Sequence, residues 1–148
     1  MAMGRASARA SVIVRQSTSY NRRMTLPHYT RAQQLPDILK HRIVILDGAM
    51  GTMVQRLKLS EAQFRGERFK DFHKDVKGNN ELLVLTQPQF ISDIHQGYLA
   101  AGADLIETDT FGATSVAQMD YDMQDLAREM NVAAARLARA ACDQFSTP

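Results

Sequence analysis

The sequence has one cysteine, Cys142, and therefore cannot form an internal disulfide. A chain without disulfides suits a reducing compartment, and we expect a cytoplasmic protein. No apolar run approaches the roughly 20 residues that a membrane-spanning helix requires, so no membrane partner is expected. The segment up to Pro36 contains six arginines and no acidic residue. The rest of the chain has sixteen acidic and twelve basic residues, and this balance argues against a nucleic-acid partner.

The first 35 residues are rich in arginine, serine, threonine and alanine and show no sustained period. This composition predicts a disordered leader over residues 1–35, followed by a folded region over residues 36–148. Arginine with serine and without acids is also typical of an organelle transit peptide, and an upstream start that is rarely used would give the same composition. The sequence alone leaves these alternatives open.

A short apolar run at residues 43–46, IVIL, is followed directly by Asp47 and Gly48. Such a run is typical of a strand that is buried on both faces in a parallel sheet, and the glycines indicate a sharp turn at its end. That end of a strand is where α/β sheets and barrels bind ligands. Asp47 is therefore a candidate ligand contact, although it could serve only as a turn or helix-capping residue.

The best-defined helix is predicted to begin at Pro88 and to end before Gly102. Thr86 and Gln89 have the spacing of a capping box, and apolar residues recur every three or four positions between the two ends. Residues 103–108 follow at once as a second strand. Strand, helix and strand in this order predict a right-handed parallel unit, in which both strands end at the same edge.

Carboxylates and hydroxyls follow the second predicted strand: Glu107, Thr108, Asp109 and Thr110, and then Phe111. They would lie at the same edge as Asp47, where paired acids and hydroxyls would bind an amine. Asp109 could instead cap the next helix. The sequence therefore predicts a small polar site at this edge.

Shorter patterns predict the remaining elements. Apolar residues have helical spacing at residues 37–41 and 53–57. Residues 58–80 lack a helical period, but their three phenylalanines favour an ordered loop. Residues 114–145 carry a long apolar stripe with helical spacing and a break at 120–122. We expect His73 to be a surface or hydrogen-bonded histidine rather than a metal ligand. His95 and Cys142 are expected to pack beside apolar neighbours.

Four runs of this sequence together resemble the N-terminal module of the cobalamin-dependent methionine synthases, within the homocysteine S-methyltransferase family. They are ILDGAMGTM at 45–53, FRGERF at 64–69, KGNNELLVL at 77–85 and GADLIETDTF at 102–111. The first and last are shared by the wider family, whereas the middle two point to the cobalamin-dependent enzymes. The resemblance implies an α/β fold, the N-terminal portion of a (β/α)8 TIM-type barrel that is incomplete in this chain.

The resemblance also implies the chemistry. The parent enzyme would methylate homocysteine to methionine, with a methyl group carried by cobalamin and regenerated from methyltetrahydrofolate, and zinc would hold the substrate sulfur as a thiolate. Asp47 and Gly48 would hold the amino-acid part of homocysteine, and Glu107, Thr110 and Phe111 would line the same pocket. The family's three zinc-binding cysteines lie in later strands, so this chain is expected to bind neither zinc nor cobalamin by itself.

The expected partners are homocysteine, the missing barrel strands, and the folate and cobalamin modules of a longer parent. On this interpretation the 148-residue chain is an inactive fragment. One departure from the family is Asp109, where asparagine is usual, and the sequence does not decide what the extra acid does. Two other functions stay open: a cobalamin-independent homocysteine methyltransferase, and a non-catalytic binding remnant that a partner stabilises.

Overall fold

A computed structural model describes residues 32–146 of the chain. The structure separates into two units, Met1–Leu35 and Pro36–Pro148. Only residues 32–35 of the first unit are described, and they include the short 3-10 turn Ala32–Gln34. The predicted leader and the transit-peptide alternative therefore lie almost wholly outside the described residues. Both, like the predicted domain division, stay predictions.

The described residues are predominantly helical. Their α-helices are α1 (Leu35–His41), α2 (Met50–Arg56), α3 (Glu61–Arg65), α4 (Leu83–Thr86), α5 (Pro88–Ala100), α6 (Ser115–Gln118) and α7 (Ala127–Phe145). Further 3-10 turns occupy Asn80–Leu82, Met119–Tyr121 and Gln124–Leu126. None of these described helices is long and apolar enough to cross a membrane.

The predicted α/β architecture is wrong for the described part of the chain, which contains no strand and no portion of a TIM-type barrel. The two segments that the sequence predicts as strands do run beside each other in parallel, but they share only one isolated bridge, between Leu46 and Leu105. The backbone N–H of Asp47 donates to the Leu105 carbonyl at 2.9 Å, and that of Asp104 donates to the Ile45 carbonyl at 2.8 Å. This pairing is too short to count as a sheet.

The exposure of these segments explains the wrong prediction. A continuous apolar run is stable as a strand of a parallel sheet only where helices cover both faces of that sheet. Here Ile43 is 84% exposed and Ile45 is 56% exposed. Two extended segments that share one isolated bridge and have uncovered side chains have little to stabilise them as a sheet.

The hydrophobic core lies between the helices, mainly where α5 packs against α7 and α4 packs against both. The predicted apolar stripe over residues 114–145 is confirmed within α7, where Met130 and Ala141 are buried and Ala133 and Leu137 are partly buried. Val116 and Met119, which the stripe also included, are exposed. The predicted break before this helix is also confirmed: 3-10 turns replace the α-helix over Met119–Tyr121, and Asp122 follows with φ of 55°.

The helix α5 begins at Pro88, as predicted, but the predicted capping box does not form. Gln87 is the capping residue and its side chain makes no cap hydrogen bond. The Thr86 hydroxyl donates instead to the Leu82 carbonyl at 3.4 Å, at the end of α4. At the other end Gly102 takes φ of 100°, a conformation that favours glycine and lets the chain turn away from the helix.

The predicted loop at residues 58–80 is ordered and also contains the short helix α3, which the spacing does not indicate. A capping box between Ser60 and Gln63 starts this helix. Its two ends fix the rest of the loop. The Glu61 carboxylate accepts from the backbone N–H groups of Val76 and Lys77, and the Arg65 guanidinium donates to the Phe72 and Lys74 carbonyls.

Candidate functional site

A polar pocket of about 230 Å³ lies where the two extended segments end. Four parts of the chain form it: the turn after residues 43–46, the start of α2, the 3-10 turn Asn80–Leu82 and residues 107–111. Its lining residues are Asp47, Gly48, Met50, Gly51, Asn80, Glu81, Glu107, Thr108, Asp109, Thr110 and Phe111. All five predicted site residues are among them, so the structure brings them together, while their role in binding stays a prediction.

Asp47 connects the two sides of the pocket. Its Oδ1 accepts a hydrogen bond from the backbone N–H of Glu107 at 2.8 Å. It does not cap α2, because the capping residue is Ala49, which takes the left-handed conformation with φ of 50°. The alternative of a helix-capping aspartate is therefore wrong, and the acid both orders the pocket edge and lines the cavity.

Residues 107–111 form the opposite edge. The Thr108 and Thr110 hydroxyls share a hydrogen bond of 2.8 Å, and Phe111 is fully exposed beside the opening. Asp109 points inward and is only 6% exposed. It does not cap the next helix, because the Thr114 side chain accepts the capping hydrogen bond from Ala117 at 3.1 Å.

Sequence reasoning missed Asn80 and Glu81 as pocket residues. The Glu81 Oε1 accepts from the backbone N–H of Gly112 at 2.7 Å, which fixes the carboxylate next to the pocket edge. The KGNN run at 77–80 carries part of the family resemblance and was the available signal. Its local pattern does not indicate which distant segment the turn contacts.

Two buried ionisable groups have shifted pKa values. Burial, and then the charge of Glu81, raise the pKa of Asp109 to about 7, and its Oδ2 has no hydrogen-bond partner. Burial lowers the pKa of His95, while the charge of Asp47 opposes this shift. Both ring nitrogens of His95 also lack a partner. The prediction that His95 packs inside is confirmed, and its place on α5 keeps it out of the pocket lining.

The residues present do not fit a zinc ion. Across residues 32–146, no group of three or more histidine, cysteine, aspartate or glutamate side chains is arranged to hold a metal. Cys142 is partly buried on α7, and burial raises the pKa of its thiol, which disfavours the thiolate that zinc requires. His73 is hydrogen-bonded to Asp122 through Nε2 at 2.9 Å, which confirms the prediction of a surface, hydrogen-bonded histidine.

Comparison with known families supports the resemblance. The sequence profile of the homocysteine S-methyltransferase family matches residues 44–148. The matched region includes every residue that lines the pocket and covers well over half of the chain. The chain therefore belongs to the homocysteine S-methyltransferase family.

Proposed function

We propose that the polar pocket binds the amino-acid end of homocysteine. The observation that carries this proposal is the convergence of Asp47 and Glu107 on one small cavity in a chain of this family. The volume of about 230 Å³ is below the range of about 300–1,000 Å³ that drug-sized ligands occupy. A molecule of the size of an amino acid suits such a cavity.

The charges of the pocket favour an ammonium group. Four of its lining residues are acidic and none is a lysine, arginine or histidine. The Oδ1 atom of Asp47 is occupied by the Glu107 N–H, but its second oxygen can still accept a hydrogen bond. A hydrogen bond between an ammonium and a carboxylate is about twice as strong as one between neutral groups. We therefore assign the ammonium of homocysteine to Asp47 and Glu107, with Thr110 and the Gly48 backbone beside them.

Calorimetric titration with L-homocysteine under reducing conditions tests this assignment. Asp47→Asn keeps an oxygen that can accept from Glu107 but loses the charge, so we expect binding at least about tenfold weaker, the effect of about 1.4 kcal/mol. Asp71→Asn removes an exposed acid outside the pocket and should bind as the unchanged chain does. Equal affinity of the two variants, or no binding by the unchanged chain, would contradict the proposal.

A second ligand tests whether the amino group of homocysteine is what the pocket recognises. 4-Mercaptobutanoic acid has the thiol and the carboxylate of homocysteine but lacks the ammonium. We expect it to bind much more weakly than homocysteine. Equal binding would mean that the acids of the pocket do not recognise the amine.

The finer assignment is to the cobalamin-dependent methionine synthases. The FRGERF run at 64–69 and the KGNN run at 77–80 support it, and Asn80 of the second run lines the pocket. In this proposal the chain contributes one wall of the homocysteine pocket in a longer enzyme. Other parts of that enzyme bind zinc and supply the folate and cobalamin modules. The isolated chain does not transfer methyl groups. The enzyme is located in the cytoplasm. Coding sequence for those modules after Pro148 would support the assignment, and its absence from the gene would contradict it.

Two alternatives remain. The pocket residues belong to the motifs that the wider family shares, which is compatible with a cobalamin-independent methyltransferase. The exposed side chains of Ile43 and Ile45 instead favour an interaction role, in which a partner covers these segments. A monodisperse monomer with one cooperative thermal transition would argue against the need for such a partner.

A further inference from the structure

One oxygen of the buried Asp109 carboxyl makes no hydrogen bond within the fold. It is 6% exposed, it lines the pocket and its Oδ2 has no hydrogen-bond partner. Buried polar atoms without a partner are rare, because each costs about 1–3 kcal/mol when it leaves water. An unpaired oxygen at the wall of a ligand pocket therefore points to a partner that the ligand supplies.

The surroundings of Asp109 determine its charge. The charge of Glu81 acts on Asp109, and Asp47 and Glu107 line the same pocket. No lysine, arginine or histidine lines this pocket to compensate them. Burial and like charges both disfavour the ionised form of a carboxyl group, which is why the pKa of Asp109 is raised to about 7.

We propose that Asp109 binds the ligand as a neutral carboxylic acid and donates its hydroxyl proton to the carboxylate of an amino acid, while Asp47 and Glu107 carry the charges that bind the ammonium. This inference deepens the proposed function and rests on it for the identity of the ligand. It explains how a pocket lined by four acids accepts the negative end of a zwitterion. One buried acid acts as a donor there.

The sign of the pH dependence separates this role from the opposite one. A neutral Asp109 that donates a proton loses this ability above pH 7, so affinity should fall as pH rises. An ionised Asp109 that accepts from the ammonium would instead give affinity that rises over the same range. The amine and the thiol of the ligand have ordinary pKa values near 8, so their own titration would lower the affinity of Asp109→Asn as well, and this variant separates it from the titration of Asp109.

The first test is L-homocysteine affinity at pH 6.0, 7.0 and 8.0 for the unchanged chain and for Asp109→Asn. The side-chain amide keeps a donor of similar shape and does not titrate. We expect the unchanged chain to bind about tenfold more weakly at pH 8.0 than at pH 6.0, because a group with a pKa near 7 is mostly ionised at the higher pH. Asp109→Asn should bind within about threefold of the unchanged chain at pH 6.0 and should lose much less affinity than the unchanged chain by pH 8.0. A flat or rising profile for the unchanged chain would overturn the inference.

The second test needs no ligand. The ¹³C resonance of the Asp109 carboxyl, assigned by its absence in Asp109→Asn, should titrate with a midpoint near 7 and move to lower pH in Glu81→Gln, which removes the neighbouring charge. A midpoint below about 5 would overturn the inference whether or not homocysteine binds. Failure of homocysteine to bind either protein at any pH would contradict the proposed function, and the titration would still decide the charge of Asp109.

Discussion

The side-chain amides of Asn79 and Gln118 pair with each other in the protein interior. Asn79 donates to the Gln118 Oε1 at 2.7 Å, and Gln118 donates back to the Asn79 Oδ1 at 3.1 Å. Gln118 also donates to the Gly112 carbonyl at 3.0 Å. This pair connects the turn that carries Glu81 to the segment that carries Asp109, and we expect it to help to position these two of the four pocket acids.

We expect Asn79→Ala to destabilise the protein by about 2 kcal/mol, because it leaves the buried Gln118 oxygen without a donor. Gln118→Ala should cost a similar amount, and the double variant less than the sum, since both changes remove the same interaction. Urea unfolding measures the three free energies. Gln144→Ala on the exposed side of α7 serves as the control. Single variants within about 0.5 kcal/mol of the control would mean that the pair does not stabilise the fold.

The hydrogen bond from Glu107 to Asp47 should hold the pocket edge in place. Asp47→Ala leaves the Glu107 N–H without this acceptor and should destabilise by about 1 kcal/mol, whereas Asp47→Asn keeps an oxygen acceptor and should cost less. Amide hydrogen exchange of Glu107 gives a local measurement. Its protection should fall in Asp47→Ala and be mostly retained in Asp47→Asn. If the Glu107 amide were protected in Asp47→Ala as well as in the unchanged chain, the Asp47 side chain would not order this edge.

The two long helices, α5 and α7, could be predicted from the sequence because their signals are local. Apolar spacing and Pro88 identify α5, and the buried face of α7 follows its stripe. The strand prediction was wrong for the described residues, because residues 43–46 have the composition of a covered strand but lack the covering layer. Asp47 and Asp109 were found by composition at the segment ends. Glu81 was missed because only a long-range hydrogen bond, to Gly112, places it there.

The ion pair between Arg42 and Asp104 should stabilise the protein at neutral pH and fail in acid. Two guanidinium hydrogen bonds, at 2.7 and 2.6 Å, and one from the Ile45 N–H lower the pKa of Asp104 to about 2. The unfolded value is about 3.9, so the contribution is complete above pH 4 and is lost as pH falls towards 2.

Melting temperatures at pH 7.0, 4.0 and 2.5 test this ion pair. Asp104→Asn should melt below the unchanged chain at pH 7.0, and the gap in melting temperature should be much smaller at pH 2.5. Added salt should also narrow the gap at neutral pH, because Arg42 is half exposed. The Asp71→Asn control should follow the unchanged chain throughout. A gap that is independent of pH would assign the effect to packing instead of charge.

His95 should make the protein sensitive to mild acid. Burial lowers its pKa below 6.5 in the folded state, so the unfolded chain binds more protons and stability falls as pH drops from about 6.5. Asp109 acts in the opposite direction: its pKa of about 7 lets the folded state bind the extra proton, and stability from this group falls as pH rises from 4 to 7. The two slopes partly cancel in the unchanged chain, so variants are needed to separate them.

His95→Leu should remove the histidine contribution. Because neither ring nitrogen has a partner, we expect the variant to be as stable as the unchanged chain at pH 7.5, or more stable by up to about 1 kcal/mol. Between pH 6.5 and 5.0 its free energy of unfolding should rise relative to that of the unchanged chain. His41→Asn, at an exposed histidine, should show no such difference. A difference between His95→Leu and the unchanged chain that stays constant with pH would show that His95 binds protons equally in the folded and unfolded states, so that its pKa is not lowered and only its packing matters.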